Sequence, residues 1–199
     1  LRLVGSEMCI RDSYIMGALV ACRKNFKTSY PGGCSFTKRP IDYHIEAFKS
    51  VGYKITEDND LLIFKKKTVN NKNHSFRLFQ KSVGATINIL YISVIRKATT
   101  IIKNPSLEPE VLQVIHLLNK MGAKIEGAGT NIIKITGVEK LKDVSYSIMP
   151  DRIEAGTLLC AVAITGGKVK LNKVIPEHIN QILNKLEQTG CEIKIENKC

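Results

Sequence analysis

The sequence has no apolar run long enough to cross a bilayer. Its longest apolar stretches, residues 87–95 and 158–164, have about half the length that a membrane-spanning helix needs. It also has no cysteine pair at CxxC spacing, and its four histidines show no spacing typical of metal ligands. These absences argue against a membrane protein and against a zinc site, and we expect neither a metal nor a membrane partner.

No export signal is recognisable, and two of the six cysteines, Cys22 and Cys160, lie in apolar, helix-like stretches. Disulfides form mainly in oxidising compartments outside the cytoplasm. We therefore expect reduced thiols and a cytoplasmic location. With 199 residues, 44% of them hydrophobic, the chain is long enough to bury one sizeable core or two small ones.

What the sequence has in excess is positive charge, with a formal net charge of +12. This favours an anionic partner, which the charge alone leaves open as nucleic acid, an acidic membrane surface or a phosphorylated metabolite. The densest run of cations is Lys65, Lys66 and Lys67, next to a polar stretch without aromatic residues for base stacking. We expect this run to form a solvated loop.

Residues 3–13, LVGSEMCIRDS, have no apolar periodicity and look like the translation of a sequencing adapter fused to a reading frame. We therefore set residues 1–13 aside as a non-native segment in predicting the fold. The alternative is an ordinary helix start, with Asp12 or Ser13 as its N-cap.

Three segments repeat one pattern, in which an amphipathic helix runs through a glycine turn into a short alternating strand. They are IEAFKSVGYKI, VIHLLNKMGAKI and ILNKLEQTGCEI, at residues 45–55, 114–125 and 182–193. Their turn glycines, Gly52, Gly122 and Gly190, lie 70 and 68 residues apart. Glycine suits these positions because it adopts a left-handed conformation at a helix end without a steric penalty.

Each repeat also contains an apolar helix upstream, predicted at residues 15–22, 85–95 and 155–164. Strands are predicted after these helices at residues 27–30, 99–103 and 168–172, with a further strand at 131–136. Because each unit exposes an apolar helix face that it cannot cover alone, neighbouring units must share a core. The repeat predicts an α/β (α+β) fold, arranged as a solenoid or as a closed pseudo-symmetric domain, and specifies no chemistry.

The stretch with chemical content is SYPGGCSFTKRPIDYHIEAF, which begins at Ser29. The proline and glycines before Cys34 cannot continue a helix or strand, so this thiol is predicted at the tip of an exposed loop. Two cations, four and five residues further on, make the thiol more acidic and attract phosphate. Asp42 and His44 are predicted in the first turn of the next helix, where the N-terminal amides can bind an anion. An idle surface thiol is the alternative for an isolated loop cysteine.

The pattern PGGCxxxxRPxDxH resembles the signature loop of the UDP-N-acetylglucosamine enolpyruvyl transferase family. Further blocks resemble that family in the same order: SVGATINI, EPE, NKMGAKIEGAGT, PDRIEAGT and IPEH, which begin at residues 82, 108, 119, 150 and 175. The resemblance implies two domains, each an inside-out α/β barrel of three βαβαββ units, and a chain truncated at both ends. Residues 14–149 would be the last two units of the first domain, and residues 150–199 the first unit of the second.

The resemblance also implies an activity, the transfer of the enolpyruvyl group of phosphoenolpyruvate to the 3′-hydroxyl of UDP-N-acetylglucosamine, the first committed step of peptidoglycan synthesis. Cys34 would be the general acid that protonates the methylene carbon of phosphoenolpyruvate, and the thiol that fosfomycin alkylates. A thiol flanked by cations suits this role, because proton donation to carbon needs a group that is acidic near neutral pH. The implied partners are these two substrates, with no cofactor, no nucleic acid and a monomeric full-length protein.

The resemblance implies substrate contacts in two clusters. The first cluster is Arg39, Pro40, Ile41, Asp42 and Tyr43, and the second is Lys81, Ser82, Val83 and Gly84. The second cluster begins a helix, so its amides can face a phosphate. Two acidic residues match positions near the domain interface, with helix capping as an equal alternative, and these are Glu108 and Asp151.

The family's phosphoenolpyruvate-binding lysine and asparagine, and its aspartate base and phosphate-binding arginines, match no position in this chain, so we expect it to be inactive alone. Three other readings are a 5-enolpyruvylshikimate-3-phosphate synthase, which lacks the PGGC loop, a basic RNA-binding repeat module, and an inactive paralogue. The last is favoured by Phe36, Thr37 and Lys38, which replace the family's Ile-Gly-small pattern.

Overall fold

The computed structural model describes residues 2–3, 13–31, 41–59, 61–67 and 71–196. The chain divides into two compact units, Leu1–Tyr146 and Ser147–Cys199. The sequence placed the division after residue 149. Assignment of the two parts to two domains of a family stays a prediction, as does the non-native origin of residues 1–13.

The first unit consists of two copies of one motif, in which a strand, a helix, a strand, a helix and two strands follow each other. The first copy comprises β1 (Arg2–Leu3), α1 (Ser13–Cys22), β2 (Asn25–Ser29), α2 (Asp42–Ser50), β3 (Tyr53–Asp58) and β4 (Leu61–Lys66). The second comprises β5 (His74–Arg77), α3 (Val83–Val94), β6 (Thr99–Lys103), α4 (Pro109–Lys120), β7 (Lys124–Glu126) and β8 (Ile132–Thr136). The predicted helices and strands of this unit are confirmed, and β1, β4 and β5 are additional strands.

Both copies form a four-stranded sheet with the same connectivity, β1-β2-β4-β3 and β5-β6-β8-β7. The first two strands of each copy are parallel, and the other neighbours are antiparallel. A parallel pair needs a crossover connection, which α1 and α3 provide. The shared connectivity confirms the predicted α/β repeat fold.

The core of the first unit surrounds α3, which packs against α1, α2, α4 and strands of its own sheet. Nine of its twelve residues are buried, and its sequence VGATINILYISV carries no charge, as expected of a helix enclosed on nearly all sides. In the first copy the core continues through Phe26, Phe48 and Phe64. The rings of Phe26 and Phe64 stack with 4.3 Å between their centroids.

The second unit contains two helices, α5 (Arg152–Thr165) and α6 (Asn180–Gln188), and a 3-10 turn at Pro176–His178. The strands predicted at residues 168–172 and after Gly190 are not formed among its described residues. A strand depends on hydrogen-bonded neighbours, and the described residues of this unit do not pair these two segments as a sheet. The segments are joined by an ion pair of 2.7 Å between Lys170 Nζ and Glu196 Oε2. The strand prediction was therefore wrong here, because alternating polarity alone does not supply a sheet.

The predicted glycine turns are confirmed in all three repeats. Gly52, Gly122 and Gly190 follow α2, α4 and α6 with φ angles of 99°, 96° and 93°. These values lie in the left-handed region that favours glycine, so each helix ends where the pattern placed its end.

One further expectation was wrong. Lys65 and Lys66 lie in β4 rather than in a loop, because β4 pairs with β3 over residues 61–66 and with β2 over residues 61–65. Their side chains are exposed, and Lys66 Nζ lies 5.7 Å from the centroid of the Tyr53 ring. Ser13 is the first residue of α1 and is buried, and the non-native origin of the segment set aside with it stays a prediction.

Candidate functional site

The amino-terminal end of α2 carries the described part of the first predicted cluster. Ile41 is the N-cap residue and is buried, and it makes no side-chain capping hydrogen bond. Asp42 is exposed in the first turn, where the partial positive charge of the helix end stabilises a carboxylate. The hydroxyl of the half-buried Tyr43 accepts a hydrogen bond of 3.3 Å from the backbone N–H of Gln80.

The amino-terminal end of α3 carries the second cluster. Ser82 is the N-cap residue, and its Oγ accepts a hydrogen bond of 3.3 Å from the backbone N–H of Ala85. This cap fixes the direction of the first helical turn. The other members of the cluster are the exposed Lys81 and the half-buried Val83 and Gly84.

The two helix ends lie side by side. The segment just before α3 touches α2 through the hydrogen bond to Tyr43, and Gly84 lies against the ring of His44. A Cβ atom added to Gly84 would lie 3.0 Å from His44 Cε1, closer than side chains ordinarily pack, and 3.4 Å from Tyr14 Cε1. Glycine therefore permits the close approach. The structure thus brings the described members of both clusters to one end of the first unit.

These paired helix ends suit an anionic ligand. The first N–H groups of a helix have no partners within the helix, and together with the helix dipole they favour negative charge. Lys81 adds a cation on the surface beside them. The carboxylate of Asp42 accepts hydrogen bonds only, so it suits a hydroxyl group of a ligand rather than its phosphate.

Behind the helix ends, one amide side chain connects three helices. Asn88 in α3 is fully buried, and its Nδ2 donates to the carbonyl of Ser13 at 2.8 Å and lies 2.6 Å from Nδ1 of His44. Its Oδ1 accepts a hydrogen bond of 3.0 Å from the backbone N–H of Gly17. A single residue thereby joins α1, α2 and α3, and its own polar atoms are paired, as buried polar groups require.

His44 is buried with this network. Burial lowers its pKa from 6.5 to about 4, because the charged imidazolium loses its hydration when it leaves water. The ring is therefore neutral near pH 7.

Asn88 and Gly17 were not predicted from the sequence as part of the site. One signal was available, because an amide inside the apolar run at residues 87–95 must find partners when it is buried. Its partner Gly17 lies 71 positions away in the sequence. No local spacing rule connects residues that far apart.

The two predicted acidic positions both lie at helix starts. Asp151 is the N-cap residue of α5, and its Oδ1 accepts hydrogen bonds from the N–H groups of Ile153 at 2.7 Å and Glu154 at 3.2 Å. Glu108 is the N-cap residue of α4, but its side chain makes no capping hydrogen bond. Capping therefore accounts for Asp151, and a substrate contact by either residue stays a prediction.

Cys34, Arg39 and Pro40 lie outside the described residues, so their predicted roles stay predictions. Within the described part of the chain, no helix combines the length and the apolar character needed to span a bilayer. The same residues contain no group of three or more His, Cys, Asp or Glu side chains arranged to hold a metal ion. The free cysteines described there are Cys22, Cys160 and Cys191.

The sequence is similar to several UDP-N-acetylglucosamine 1-carboxyvinyltransferases. It is 44% identical over 184 residues to UDP-N-acetylglucosamine 1-carboxyvinyltransferase 2 of Caldanaerobacter subterraneus subsp. tengcongensis. The aligned region covers 92% of this chain and 44% of that protein. It is 42% identical over 184 residues to the Clostridium botulinum protein, and the aligned region covers 92% of this chain and 43% of that protein. It is 46% identical over 181 residues to the Endomicrobium trichonymphae protein, and the aligned region covers 90% of this chain and 43% of that protein. The chain thus spans less than half the length of these curated relatives.

Solved structures with a similar fold are also enolpyruvyl transferases. EPSP synthase from Acinetobacter baumannii matches with a TM-score of 0.66 and 20% identity, covering 98% of this chain and 45% of that chain. The enolpyruvyl transferase NikO from Streptomyces tendae matches with a TM-score of 0.61 and 22% identity, covering 75% and 35%. At these identities the likeness shows the fold alone, and that fold is the one of the enolpyruvyl transferase class.

A sequence profile described as EPSP synthase (3-phosphoshikimate 1-carboxyvinyltransferase) matches residues 13–199. Because the match covers nearly the whole chain, the chain belongs to the EPSP synthase family of carboxyvinyltransferases. The predicted relationship is confirmed, and the curated relatives named above carry the UDP-N-acetylglucosamine name within it.

Proposed function

We propose that the protein containing this chain transfers the enolpyruvyl group of phosphoenolpyruvate to the 3′-hydroxyl of UDP-N-acetylglucosamine, in the cytoplasm, as a step of peptidoglycan synthesis. The observation that carries the proposal is the 42% to 46% identity, over 90% or more of this chain, with proteins named UDP-N-acetylglucosamine 1-carboxyvinyltransferase. The paired starts of α2 and α3 support it, because a nucleotide-sugar brings both phosphates and hydroxyl groups to such a site.

The described residues suit different parts of a nucleotide-sugar. Backbone N–H groups at residues 82–84 are donors for a phosphate oxygen, and Lys81 supplies a charge that strengthens such hydrogen bonds. Asp42 is an acceptor for a sugar or ribose hydroxyl. Tyr43, held by Gln80, offers its aromatic face and hydroxyl beside them. Arg39 and Pro40 would complete this cluster.

Cys34 is assigned the proton transfer. It precedes Asp42, the first residue of α2, by eight positions in the sequence. In this proposal the thiol gives its proton to the methylene carbon of phosphoenolpyruvate. The neighbouring carbon becomes electron-poor, and the 3′-hydroxyl oxygen attacks it and gives up its proton to solvent. Departure of phosphate, with return of one proton from the new methyl group to the Cys34 thiolate, then restores the carbon–carbon double bond of the enolpyruvyl group. No metal or cofactor is required for these steps.

Fosfomycin labelling of the 199-residue chain, followed by mass mapping, tests the assignment of the thiol. We expect modification of Cys34 in preference to the other five cysteines, and loss of that labelling in Cys34→Ser. Equal labelling of all six thiols would contradict a special reactivity of Cys34. Cys191→Ser is the matched control, since it removes a thiol distant in sequence from the loop.

Turnover by a longer protein that contains this sequence tests the reaction. We expect phosphate release from phosphoenolpyruvate that depends on UDP-N-acetylglucosamine and is abolished in Cys34→Ala. We expect no turnover by the 199-residue chain alone. Release that depends on shikimate 3-phosphate, or salt-sensitive RNA binding without nucleotide-sugar binding, would instead favour one of the other readings.

A further inference from the structure

The hydrogen bonds of Asn88 fix the orientation of its amide group. The backbone N–H of Gly17 is a donor only, so the atom of Asn88 that faces it at 3.0 Å is the acceptor Oδ1. The carbonyl of Ser13 is an acceptor only, so the atom that faces it at 2.8 Å is the donor Nδ2. Rotating the amide by half a turn would place donor against donor and acceptor against acceptor in a fully buried site.

The same orientation fixes the tautomer of His44. Nδ2 of Asn88 lies 2.6 Å from Nδ1 of His44, so Nδ1 must accept and carries no proton. In a neutral imidazole the proton is then on Nε2. His44 is therefore a neutral hydrogen-bond donor through Nε2.

The donor edge of His44 points to the start of α3. The site of a Cβ atom on Gly84 lies 3.0 Å from Cε1 and 3.4 Å from Nε2 of the ring, so this edge borders the first turn of the helix. His44 is only 6% exposed, and no partner of Nε2 is found among the described residues. Nε2 is not one of the fully buried side-chain atoms that lack a partner, so this donor edge remains accessible to an acceptor bound at the helix start.

We propose that Asn88 is a positioning residue that holds His44 as a neutral Nε2–H donor, and that this donor binds an anionic phosphate oxygen at the start of α3. The identity of the phosphate compound rests on the proposed function, in which UDP-N-acetylglucosamine or phosphoenolpyruvate supplies the oxygen. The role of His44 as a hydrogen-bond donor to a phosphate oxygen does not rest on the proposed function. Asn88 touches no ligand and acts only through the ring of His44.

The tautomer is measured in the unaltered 199-residue chain by long-range proton–nitrogen correlation NMR of the histidine rings. We expect His44 at pH 7 to show a protonated Nε2 and an unprotonated Nδ1. A protonated Nδ1, or a mixture of both tautomers, would overturn the proposal. This measurement needs no variant, so it holds even if a substitution in the network prevents folding.

Binding is measured by titrating the same sample separately with inorganic phosphate, UDP-N-acetylglucosamine and phosphoenolpyruvate. We expect at least inorganic phosphate to shift the Nε2 signal of His44. No change at His44 with any of the three probes would overturn the donor role. A cavity of about 260 Å³ at the opposite end of α3 is lined in part by Lys66, Arg96 and Lys97. Because positive charge favours anions in general, the readout must be specific to the His44 ring.

Two substitutions of His44 separate its two nitrogens. His44→Gln keeps an N–H donor near the position of Nε2, whereas His44→Asn keeps only an acceptor near the position of Nδ1. We expect His44→Gln to bind within about threefold of the unaltered chain and His44→Asn to bind about tenfold more weakly, the loss expected for one hydrogen bond to a charged group. Equal affinity of the two variants would contradict the proposal.

Asn88→Asp tests the positioning role. A carboxylate still accepts from Gly17 but cannot donate to Nδ1, so we expect His44 to become protonated at pH 7. Ser93→Ala is the matched control, since Ser93 is a buried polar residue of the same helix whose Oγ has no hydrogen-bond partner. A His44 titration in Asn88→Asp that matches the Ser93→Ala titration would mean that Asn88 does not position the ring.

The probes also separate this proposal from the proposed function. A response of His44 to inorganic phosphate, with no additional affinity for UDP-N-acetylglucosamine or phosphoenolpyruvate, would support the donor and contradict the enzymatic assignment. Tight UDP-N-acetylglucosamine binding together with an unchanged His44 signal for all three probes would support the assignment and contradict the donor.

Discussion

Helices α3 and α5 occupy equivalent positions in successive repeats, yet their environments differ. Both are apolar and of similar length, but nine of twelve residues are buried in α3 and two of fourteen in α5. Within its own unit α3 is enclosed by three helices and a sheet, whereas α5 packs against α6. Large apolar side chains consequently remain exposed on α5, including Ile164 at 85%.

In this repeat the neighbouring copy, rather than the sequence of the helix, therefore determines how much of the helix is buried. The first unit contains two copies that cover each other, and the second contains one. Repeat proteins obtain their stability from such interfaces between units. All six tyrosines lie within Leu1–Tyr146, so tyrosine fluorescence reports on the first unit alone. Amide hydrogen exchange reports on both units and allows each to be followed separately.

The largest contrast is expected from truncating one isoleucine in each helix. Ile89→Ala in α3 removes a fully buried side chain, and we expect it to lower the free energy of unfolding of the first unit by about 4 kcal/mol. Ile164→Ala in α5 removes an exposed one, and we expect a change within about 0.5 kcal/mol. Urea unfolding followed by tyrosine fluorescence measures the effect of Ile89→Ala, and hydrogen exchange measures the effect of Ile164→Ala. Similar effects at both sites would remove the contrast.

Two glycines extend the comparison to backbone packing. A Cβ atom on Gly17 would lie 2.2 Å from Oδ1 of Asn88, so Gly17→Ala overpacks the core and breaks the buried network, with an expected loss of about 3 kcal/mol. A Cβ atom on Gly156 would lie 2.5 Å from Cδ1 of Ile182, the movable end of a side chain. For Gly156→Ala we expect less than about 1 kcal/mol, since alanine also favours the helix. A tolerated Gly17→Ala would show that α1 and α3 can separate.

The stability of the first unit should also depend on pH, because of His44. Its pKa is about 4 in the folded chain and 6.5 in the unfolded chain, so the unfolded chain takes up the proton first as pH falls. Stability is complete above pH 6.5 and decreases toward pH 4, by about 2 kcal/mol between pH 7 and pH 5. Urea unfolding at a series of pH values measures this decrease.

In His44→Gln the acid dependence should flatten, although some remains, because burial and the nearby Arg96 also lower the pKa of His74. An unchanged pH dependence in that variant would contradict the assignment to His44.

The smallest effect concerns the two segments of the second unit that do not form strands. A hydrogen bond and the charge of Lys170 lower the pKa of Glu196. In Lys170→Met we expect the pKa of Glu196 to return toward its ordinary value, with no measurable change in the first unit. Carbon-detected NMR titration of the carboxylates measures it, and Lys173→Met is the matched control. If Glu196 titrates alike in both variants, the ion pair is absent in solution.

Features set by local sequence could be predicted, and features set by distant neighbours could not. The glycine turns at Gly52 and Gly122 were predictable because one residue type satisfies the left-handed turn. The strand at residues 168–172 was not, because strand formation depends on partners. At the site, the sequence pattern identified the starts of α2 and α3. It gave no indication that Asn88 joins them to α1, because those hydrogen bonds connect residues far apart in the chain.

The two copies of the first unit share one topology, but Asn88 breaks their equivalence. Its side chain comes from the second copy, and all its partners, Ser13, Gly17 and His44, come from the first. A protein rebuilt from two identical second copies would bury two such amides without these acceptors and donors. The copies have therefore become complementary rather than interchangeable, and neither can replace the other in this core.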